Sequence, residues 1–332
     1  MDSNQVFNAR LSCRVEKTDR NFFYSLIDYR NNFFTSSDTE KTIEFYDQFE
    51  NRDQLIKWMK ERPKGASYIH EVTGNKDIIV VVTTADFKGK HAKACRDEVF
   101  KGLHMIFVES GGKEDFYFNY AHNCNVGIEK ALQYNPKWII VSNDDMNVID
   151  PPEKLIEVIK SDSNRDKDVL FCYPPAEYHS RYALISKQTL RRDIVNHLMG
   201  KYEKELFSLE HKLGIKFIVG TTLLKYRLFY SNKYKLLYTG SFGIFSSQFI
   251  LNYLDRRLFD ENYINGSEDI DLAWKIAHEK IKIGFVDYRI KDIIGGTIGP
   301  YEIKRKLQGI VNECYMNYKI EKGELISSSL KF

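Results

Sequence analysis

The feature that most restricts the fold is a short run of β-branched residues, DIIVVVTTAD at 77–86, which follows the turn signal Gly74-Asn75. An apolar run of this length between turn residues is typical of a strand that is buried on both faces of a parallel sheet. Parallel neighbours require long crossover connections, so strands and helices should alternate after it. We therefore expect the main α/β domain to begin near residue 75.

The rest of the chain shows this alternation. Apolar runs predict strands at 105–108, 138–141, 170–173 and 283–286, and helical periodicity predicts helices at 124–134, 152–160 and 267–280. Such an order predicts a doubly wound, mixed but mostly parallel sheet flanked by helices. Residues 188–214 are helical in composition, and the stretch KYRLFYSNKYKLLYTGSFGIF at 225–245 is strand-like.

The flanking segments have a different character. Residues 37–62 show helical spacing of apolar side chains, and Asn51 with Gln54 resembles a capping pair before a second helix. This predicts a mainly helical N-terminal extension over 1–75, whose role the pattern does not assign. A helical C-terminal tail is expected over 301–332.

Composition excludes several classes of protein. The net charge is only +3, from 49 basic and 46 acidic residues, so overall charge does not favour a nucleic-acid partner. No apolar run is long enough for a membrane span, and the first residues do not resemble a signal peptide. The five cysteines form no CxxC pair, and no HExxH is present. We expect a cytoplasmic protein with reduced thiols and no zinc site.

Two acidic clusters stand out as candidate sites. Asn143, Asp144 and Asp145 follow the strand at 138–141, where carboxylates could hold Mg²⁺ or Mn²⁺, although Asn and Asp are equally common as turn formers. Glu268, Asp269 and Asp271 lie in the first turn of a predicted helix, where one carboxylate could act as a base. Taken by itself, that second cluster is explained more simply by capping and the helix dipole.

A third candidate is the asparagine-rich helix start FNYAHNCNVGIEKAL. Its free amide groups could meet a phosphate, but such helix starts are common without any ligand.

The order of these motifs resembles family-2 glycosyltransferases of the GT-A fold. The succession of the 77–86 strand, VESGGKED, NxNxGIxxA, IIVSNDDM, FGIFSSQFI and LFDENYINGSEDIDLAWKI carries the likeness, which spans about residues 77–299. The resemblance implies a GT-A domain over 76–300. Its nucleotide-sugar half would be 76–175 and its acceptor half 176–300.

The resemblance also implies a role for each candidate residue. Glu109 would contact the nucleobase, and Asn123, Asn125 and Gly127 would face the donor. Asp145 and Asn143 would bind the metal, with Asp144 toward the donor diphosphate. The Glu268-Asp269 pair would supply the general base, and Asp269 is the preferred candidate for that role.

The implied activity is metal-assisted, inverting transfer of a hexose-type sugar from a nucleoside-diphosphate sugar to a hydroxyl acceptor. The acceptor would be a glycan or another hydroxyl acceptor, which could be lipid-linked or protein-linked. The divalent cation would be Mn²⁺ or Mg²⁺. Peripheral membrane contact and the oligomeric state stay open.

Two departures from the family pattern are visible. Asn143 stands where an acid is usual, which leaves fewer anionic ligands. Many members also carry a late histidine in the metal or diphosphate shell, but the last histidine here is His278, inside the predicted helix. The corresponding stretch is KDIIGGTIG, in which Thr297 or the glycine amides could take its place; alternatively, water could complete the metal shell.

Three other functions compete with this interpretation. A nicotinamide-dependent dehydrogenase would need GxGxxG after the first strand, which TTADFKGK lacks. A nucleotidyltransferase that makes nucleotide-sugars would use a similar sheet and similar metal-held acids. A nucleic-acid-binding module could use the Lys-Tyr alternation at 233–238, but net charge disfavours it. The aromatic stretch 226–238 could instead be an acceptor platform or simply a packed hairpin.

Overall fold

A computed structural model describes residues 45–111, 117–173, 178, 181–182, 236–237, 240–278, 281–293 and 303–325. The predicted helix at 188–214, most of the 225–245 stretch, the 226–235 part of the aromatic stretch and Thr297 lie outside these residues, as do residues 1–44.

Within the described residues, eleven strands and seven α-helices are present. The strands are β1 (Ser67–Val72), β2 (Asn75–Thr84), β3 (Leu103–Ser110), β4 (Trp138–Asn143), β5 (Met146–Val148), β6 (Val169–Cys172), β7 (Arg181–Tyr182), β8 (Leu236–Leu237), β9 (Phe242–Ser246), β10 (Ile283–Val286) and β11 (Ile290–Asp292). The helices are α1 (Arg52–Glu61), α2 (Lys90–Ala94), α3 (Tyr120–Leu132), α4 (Pro152–Lys160), α5 (Ser247–Tyr253), α6 (Glu268–His278) and α7 (Ile303–Glu321).

The main sheet has seven strands in the order β1-β3-β2-β4-β9-β6-β10. Strands β3, β2 and β4 are parallel to one another, as are β6 and β10, whereas β1 and β9 run antiparallel to their neighbours. The α/β class and the mixed, mostly parallel sheet predicted from the alternation are therefore confirmed. Short pairs β5-β11 and β7-β8 lie outside this sheet.

Strand β2 shows why the apolar run forms the centre of the sheet. Its residues 78–84 are all buried, and it pairs with β3 on one side and β4 on the other. Alternate side chains point to opposite faces. Val80 and Val82 belong to the core on one face, and Ile79 and Val81 to the core on the other. A run without polar alternation is what such a strand requires.

The flanking segments attach to this sheet more closely than their sequence indicates. Strand β1 pairs with β3 through Ser67↔Ser110 to Val72↔Met105, so the sheet begins at Ser67, ahead of the expected boundary near residue 75. Its mixed polar composition hid it from pattern analysis. Helix α1 begins as the capping pair predicted, because the side chain of Asn51 accepts a hydrogen bond from Gln54 N.

No helix in the described ranges is long and apolar enough to cross a membrane. The four cysteines within those ranges are free and buried, as expected; they are Cys95, Cys124, Cys172 and Cys314.

Helix α3 packs directly on the sheet at Gly127. A Cβ at this position would lie 2.3 Å from Val81 Cγ1 and 2.9 Å from Val108 Cγ2. Both valines belong to the strands beneath the helix, so the absence of a side chain sets how closely the helix approaches them. Gly127 thus has a packing role whatever else it does.

This contact gives a direct test of the α3 packing. Gly127→Ala should lower the free energy of unfolding by about 1–3 kcal/mol, because the added methyl overpacks a rigid core. Urea denaturation measures the change. Gly309→Ala is the matched control, since Gly309 also lies inside a helix but a Cβ there would meet nothing within 4 Å. The control should be neutral or stabilising by up to about 1 kcal/mol. Equal effects at the two positions would contradict the packing of α3.

Candidate active site

Several sequence candidates meet at one edge of the sheet. Strands β2, β3 and β4 are parallel and end at Thr84, Ser110 and Asn143, so their carboxyl ends lie together. We call this the carboxyl edge. The antiparallel strand β9 begins there, because Ser142 pairs with Phe242. Ligands of open α/β sheets bind at this kind of edge.

Asp144 and Asp145 form a buried turn directly after the partly buried Asn143, which ends β4. Asp144 and Asp145 are each only 7% exposed. Thr84, from the end of β2, donates its hydroxyl to Asp144 Oδ2 at 2.6 Å, and Cys95 Sγ lies 3.2 Å from Asp144 O. An ordinary solvated turn would leave these acids exposed, so this geometry favours a site over a simple turn.

Electrostatics at this turn favour a cation. Burial raises the pKa of Asp144; the Thr84 hydroxyl lowers it, the charge of Asp145 raises it further and His91 lowers it. Two neighbouring buried carboxylates are costly unless positive charge compensates them. The turn therefore has a physical reason to bind a cation.

The same residues fit a hard divalent ion. Asn143 Oδ1 is buried and has no hydrogen-bond partner, which leaves an amide oxygen for a ligand beside the two carboxylates. Within the described ranges, no group of three or more His, Cys, Asp and Glu side chains is arranged to hold a metal. Mg²⁺ is commonly held by one or two protein carboxylates together with substrate phosphates, so a smaller set suffices.

Asp292 is a residue that pattern analysis missed. It ends β11, pairs with Met146 of β5 and is 7% exposed. Ser241 donates its hydroxyl to Asp292 Oδ2 at 2.9 Å, and Ile293 N donates to Asp145 O at 2.9 Å. A third buried acid thus lies beside the turn, in the stretch KDIIGGTIG where a substitute for the late histidine was expected. Only the pairing of two very short strands reveals it.

Asp150 fixes the β5-β11 pair that carries Asp292. It accepts hydrogen bonds from Arg289 N, Arg289 Nη2 and Lys154 Nζ, at 2.9, 2.9 and 3.0 Å. The Arg289 hydrogen bonds, assisted by Lys154, lower the pKa of Asp150 to about 2.

Glu109 lies at the carboxyl end of β3, as predicted. Its Oε2 is 2.7 Å from His70 Nε2, and Phe87 N donates to Oε1 at 3.4 Å. The His70 and Phe87 rings stack, with centroids 4.2 Å apart and planes 3° apart. The Glu109 side chain is 27% exposed, so it is available to a ligand beside this aromatic pair.

The asparagines at the start of α3 are engaged with the protein itself. Asn125 Nδ2 donates to Phe259 O at 2.8 Å and to Glu261 Oε1 at 3.0 Å, and its Oδ1 accepts from Phe259 N. Asn123 Oδ1 accepts from Ser67 Oγ, whereas its buried Nδ2 has no hydrogen-bond partner. These contacts give Asn125 a structural role. Donor contact by Asn123, Asn125 and Gly127 stays a prediction.

The second acidic cluster begins α6. Glu268 is 6% exposed, and its Oε2 has no hydrogen-bond partner. Burial raises the pKa of Glu268 to about 8, and the charges of Asp269 and Asp271 add to this effect. Asp269 is less buried and accepts a hydrogen bond from Ile270 N. Asp271 is 1% exposed and forms an ion pair with Lys319.

This cluster also lies toward the carboxyl edge, because it adjoins the start of α3. Asn123 of α3 accepts a hydrogen bond from Ser67, which pairs with Ser110 at the end of β3. Asn265, just before α6, accepts a hydrogen bond at 2.8 Å from the backbone N–H of Tyr120, the first residue of α3.

Comparisons with protein-family models, with curated protein sequences and with solved structures gave no match.

The raised pKa of Glu268 predicts a characteristic pH dependence. In the unfolded chain this carboxyl ionises above about 4.5, but in the fold it stays neutral up to about 8. Its contribution to stability is therefore full below 4.5 and is lost as the pH rises toward 8. Glu268→Gln cannot ionise, so its stability relative to wild type should increase over this range, by an amount on the order of a few kcal/mol. Urea denaturation at several pH values measures the difference.

Asp150→Asn is a control of opposite sign. The depressed pKa of Asp150 means that its stabilisation is present above 3.8 and is lost as the pH falls toward 2. This variant should be less stable than wild type at neutral pH, and the difference should shrink in acid. A Glu268→Gln difference that does not change with pH would contradict the burial of a neutral carboxyl there.

Proposed function

We propose that this protein is an inverting glycosyltransferase of the GT-A fold that moves a sugar from a nucleoside-diphosphate sugar to a hydroxyl acceptor. The observation that carries the proposal is the position of acids from three separate stretches of sequence. Glu109 and the Asp144-Asp145 pair lie on either side of Thr84, which pairs with Glu109 and donates to Asp144. The Glu268-Asp269 pair begins α6 toward the same edge of the sheet.

The donor nucleotide would lie across the ends of β2, β3 and β4. Glu109, with the stacked His70 and Phe87 beside it, is suited to a nucleobase because it combines a hydrogen-bond acceptor with an aromatic surface. The diphosphate would lie near the turn at the end of β4. Asn143, Asp144 and Asp145 would hold Mn²⁺ or Mg²⁺ there, and a bound cation would supply positive charge to the leaving diphosphate.

Asp269 would accept the proton of the acceptor hydroxyl. The acceptor oxygen forms its bond to the anomeric carbon as the bond from that carbon to the diphosphate oxygen breaks, and the hydroxyl proton passes to the carboxylate. Attack on the face opposite the leaving group inverts the configuration. Asp269 suits this role better than Glu268, because Asp269 is only partly buried and can be reached by an acceptor, whereas Glu268 is buried.

The cation site has a binding test. UDP and GDP should bind the wild-type protein only with Mn²⁺ or Mg²⁺, and Asp145→Asn should lose this metal-dependent binding in calorimetry. A ligand at 100-fold its Kd adds about 2.7 kcal/mol of stability, so a metal-dependent rise in Tm should also disappear. Asp97→Asn, an exposed acid in the helical turn after α2, is the control and should bind as wild type. Unchanged metal response in Asp145→Asn would remove this residue from the site.

The general base has a kinetic test. Asp269→Asn should reduce sugar transfer by about 10²–10⁴-fold while donor binding persists, because only proton removal is lost. The measurement is release of nucleoside diphosphate from a panel of nucleotide-sugars with candidate acceptors. Glu153→Gln is the matched control, since Glu153 is also an acid in the first turn of a helix. If both variants lose little activity, Asp269 is only a helix-start acid.

The same assay separates the alternative function. A nucleotidyltransferase would instead form nucleotide-sugar and pyrophosphate from a nucleoside triphosphate and a sugar phosphate. Formation of these products would contradict the glycosyltransferase proposal and support the nucleotidyltransferase function.

A further inference from the structure

The segment 259–271, which we call the acidic segment, is held by the helices α1 and α7. Both helices lie outside residues 77–299, the part of the chain in which the sequence resembles glycosyltransferases. The two helices contact each other, since Arg52 Nη1 donates to Glu321 Oε1 at 2.9 Å and Lys60 Nζ donates to Tyr318 OH at 3.2 Å. They therefore form a joint support beside the α/β domain.

Helix α7 binds both the backbone and the side chains of the acidic segment. Asn312 is 1% exposed; its Oδ1 accepts from Ile264 N at 2.7 Å and its Nδ2 donates to Ile264 O at 3.0 Å. Tyr315 OH donates to Asp260 Oδ2 at 3.0 Å. The side-chain amide of Asn312 thus bonds both the N–H and the C=O of Ile264, as the backbone of a neighbouring strand would, and this holds Ile264 in place.

Lys319 makes the strongest of these contacts. It is 4% exposed, and its Nζ lies 2.8 Å from Asp260 Oδ2 and 2.5 Å from Asp271 Oδ2. Tyr263 OH donates to the same Asp271 oxygen at 2.9 Å. Burial lowers the pKa of Lys319, but the two carboxylates more than compensate and the net pKa is raised. A buried cation between two acids joins both ends of the acidic segment to α7.

The end of α1 holds the residues between these points. Arg62, which is 4% exposed, donates from Nη2 to Tyr263 O at 2.8 Å. Lys64 Nζ donates to Asn262 Oδ1 at 3.2 Å. On the other side, Asn119 Nδ2 donates to Glu261 O at 2.7 Å. The acidic segment is thus gripped between α3, on the sheet, and the α1-α7 support.

The segment needs this support because its backbone is strained next to the acids. Asn265 has φ 44° and Ser267, directly before Glu268, has φ 70°. Non-glycine residues in this left-handed region are strained, and they persist where surrounding contacts fix the conformation.

We propose that Lys319 is a positioning residue, which fixes the first turn of α6 through Asp271 so that Glu268 and Asp269 face the carboxyl edge. Asp271 lies two residues after Asp269 on the same helical turn, so displacing one displaces the other. The effect on catalysis rests on the proposed function, whereas the effect of Lys319 on the position of the acidic segment does not. The flanking helices then have a defined task, which is to hold the base-bearing segment in register with the donor site.

The first arm of the test is independent of any activity. Hydrogen exchange of the full chain is compared between wild type and Lys319→Met. Exchange of backbone amides at 260–271 should become at least about ten-fold faster, because the Lys319 ion pairs that oppose local opening of this segment are lost. Exchange in β4, at 138–143, should stay the same. Unchanged exchange at 260–271 overturns the proposal.

The second arm is kinetic. Lys319→Met should lower kcat for sugar transfer by about 10–100-fold with donor KM and nucleotide Kd within about two-fold, because misplacement near the reacting atoms affects turnover and leaves the nucleotide contacts intact. Lys319→Arg should restore much of kcat. Tyr263→Phe, which removes a single donor to Asp271, is a milder variant and covers the case in which Lys319→Met does not fold; it should show smaller changes of the same kind. Arg52→Gln, which cuts only the exposed link between α1 and α7, should leave kcat unchanged.

The outcomes distinguish the two proposals. A wild-type protein without sugar transfer contradicts the proposed function. The hydrogen-exchange measurement then decides by itself whether Lys319 holds the acidic segment in place. An active wild type whose Lys319→Met variant keeps its kcat overturns the positioning role. Parallel loss of kcat and nucleotide binding in a folded Lys319→Met variant overturns it as well, because the effect is then not confined to the first turn of α6.

Discussion

The double burial of β2 is the constraint on which the rest of the structure depends. A strand with apolar side chains on both faces needs a layer of helices above and below it and parallel neighbours on each side. Strands β3 and β4 supply the neighbours, and the two core layers cover the faces. Because the three strands run in the same direction, the polar residues that end them meet at one edge. The site is a consequence of how the core is filled.

Buried polar groups near this edge are a second constraint on the structure. Asn119, Asn125 and Asn312 are nearly inaccessible, and the side-chain amides of all three bond backbone groups of other segments. Such contacts are directional, so they fix loops that apolar packing alone would leave adjustable. The acids behave differently. Glu268 and Asp144 are buried, and burial raises the pKa of both carboxyls. Groups with shifted pKa values are frequent at functional sites.

Much of the fold could be predicted from the sequence, and part of the site could. The strands at 283–286 and the helix at 152–160 appear with the predicted bounds, and other elements differ by a few residues at their ends. Strands β1, β5, β7 and β11 were missed, because they are short or polar and owe their conformation to a partner strand, and the short helices α2 and α5 were missed as well. The positions of Glu109, Asp144, Asp145 and Glu268 followed from motif and strand order. The burial of Asp144, Asp145 and Glu268, and the position of Asp292 beside them, did not.

The sequence by itself determined which segments become strands and helices, and hence which polar residues stand at strand ends and helix starts. These properties are local, because side chains repeat every two residues in a strand and about every 3.6 in a helix. Only the tertiary structure decided that Lys319 meets Asp271, that Arg62 reaches Tyr263 O and that Asn125 turns inward to Phe259. Those contacts join residues distant in the chain, and their energy depends on how whole elements pack, which no local spacing records.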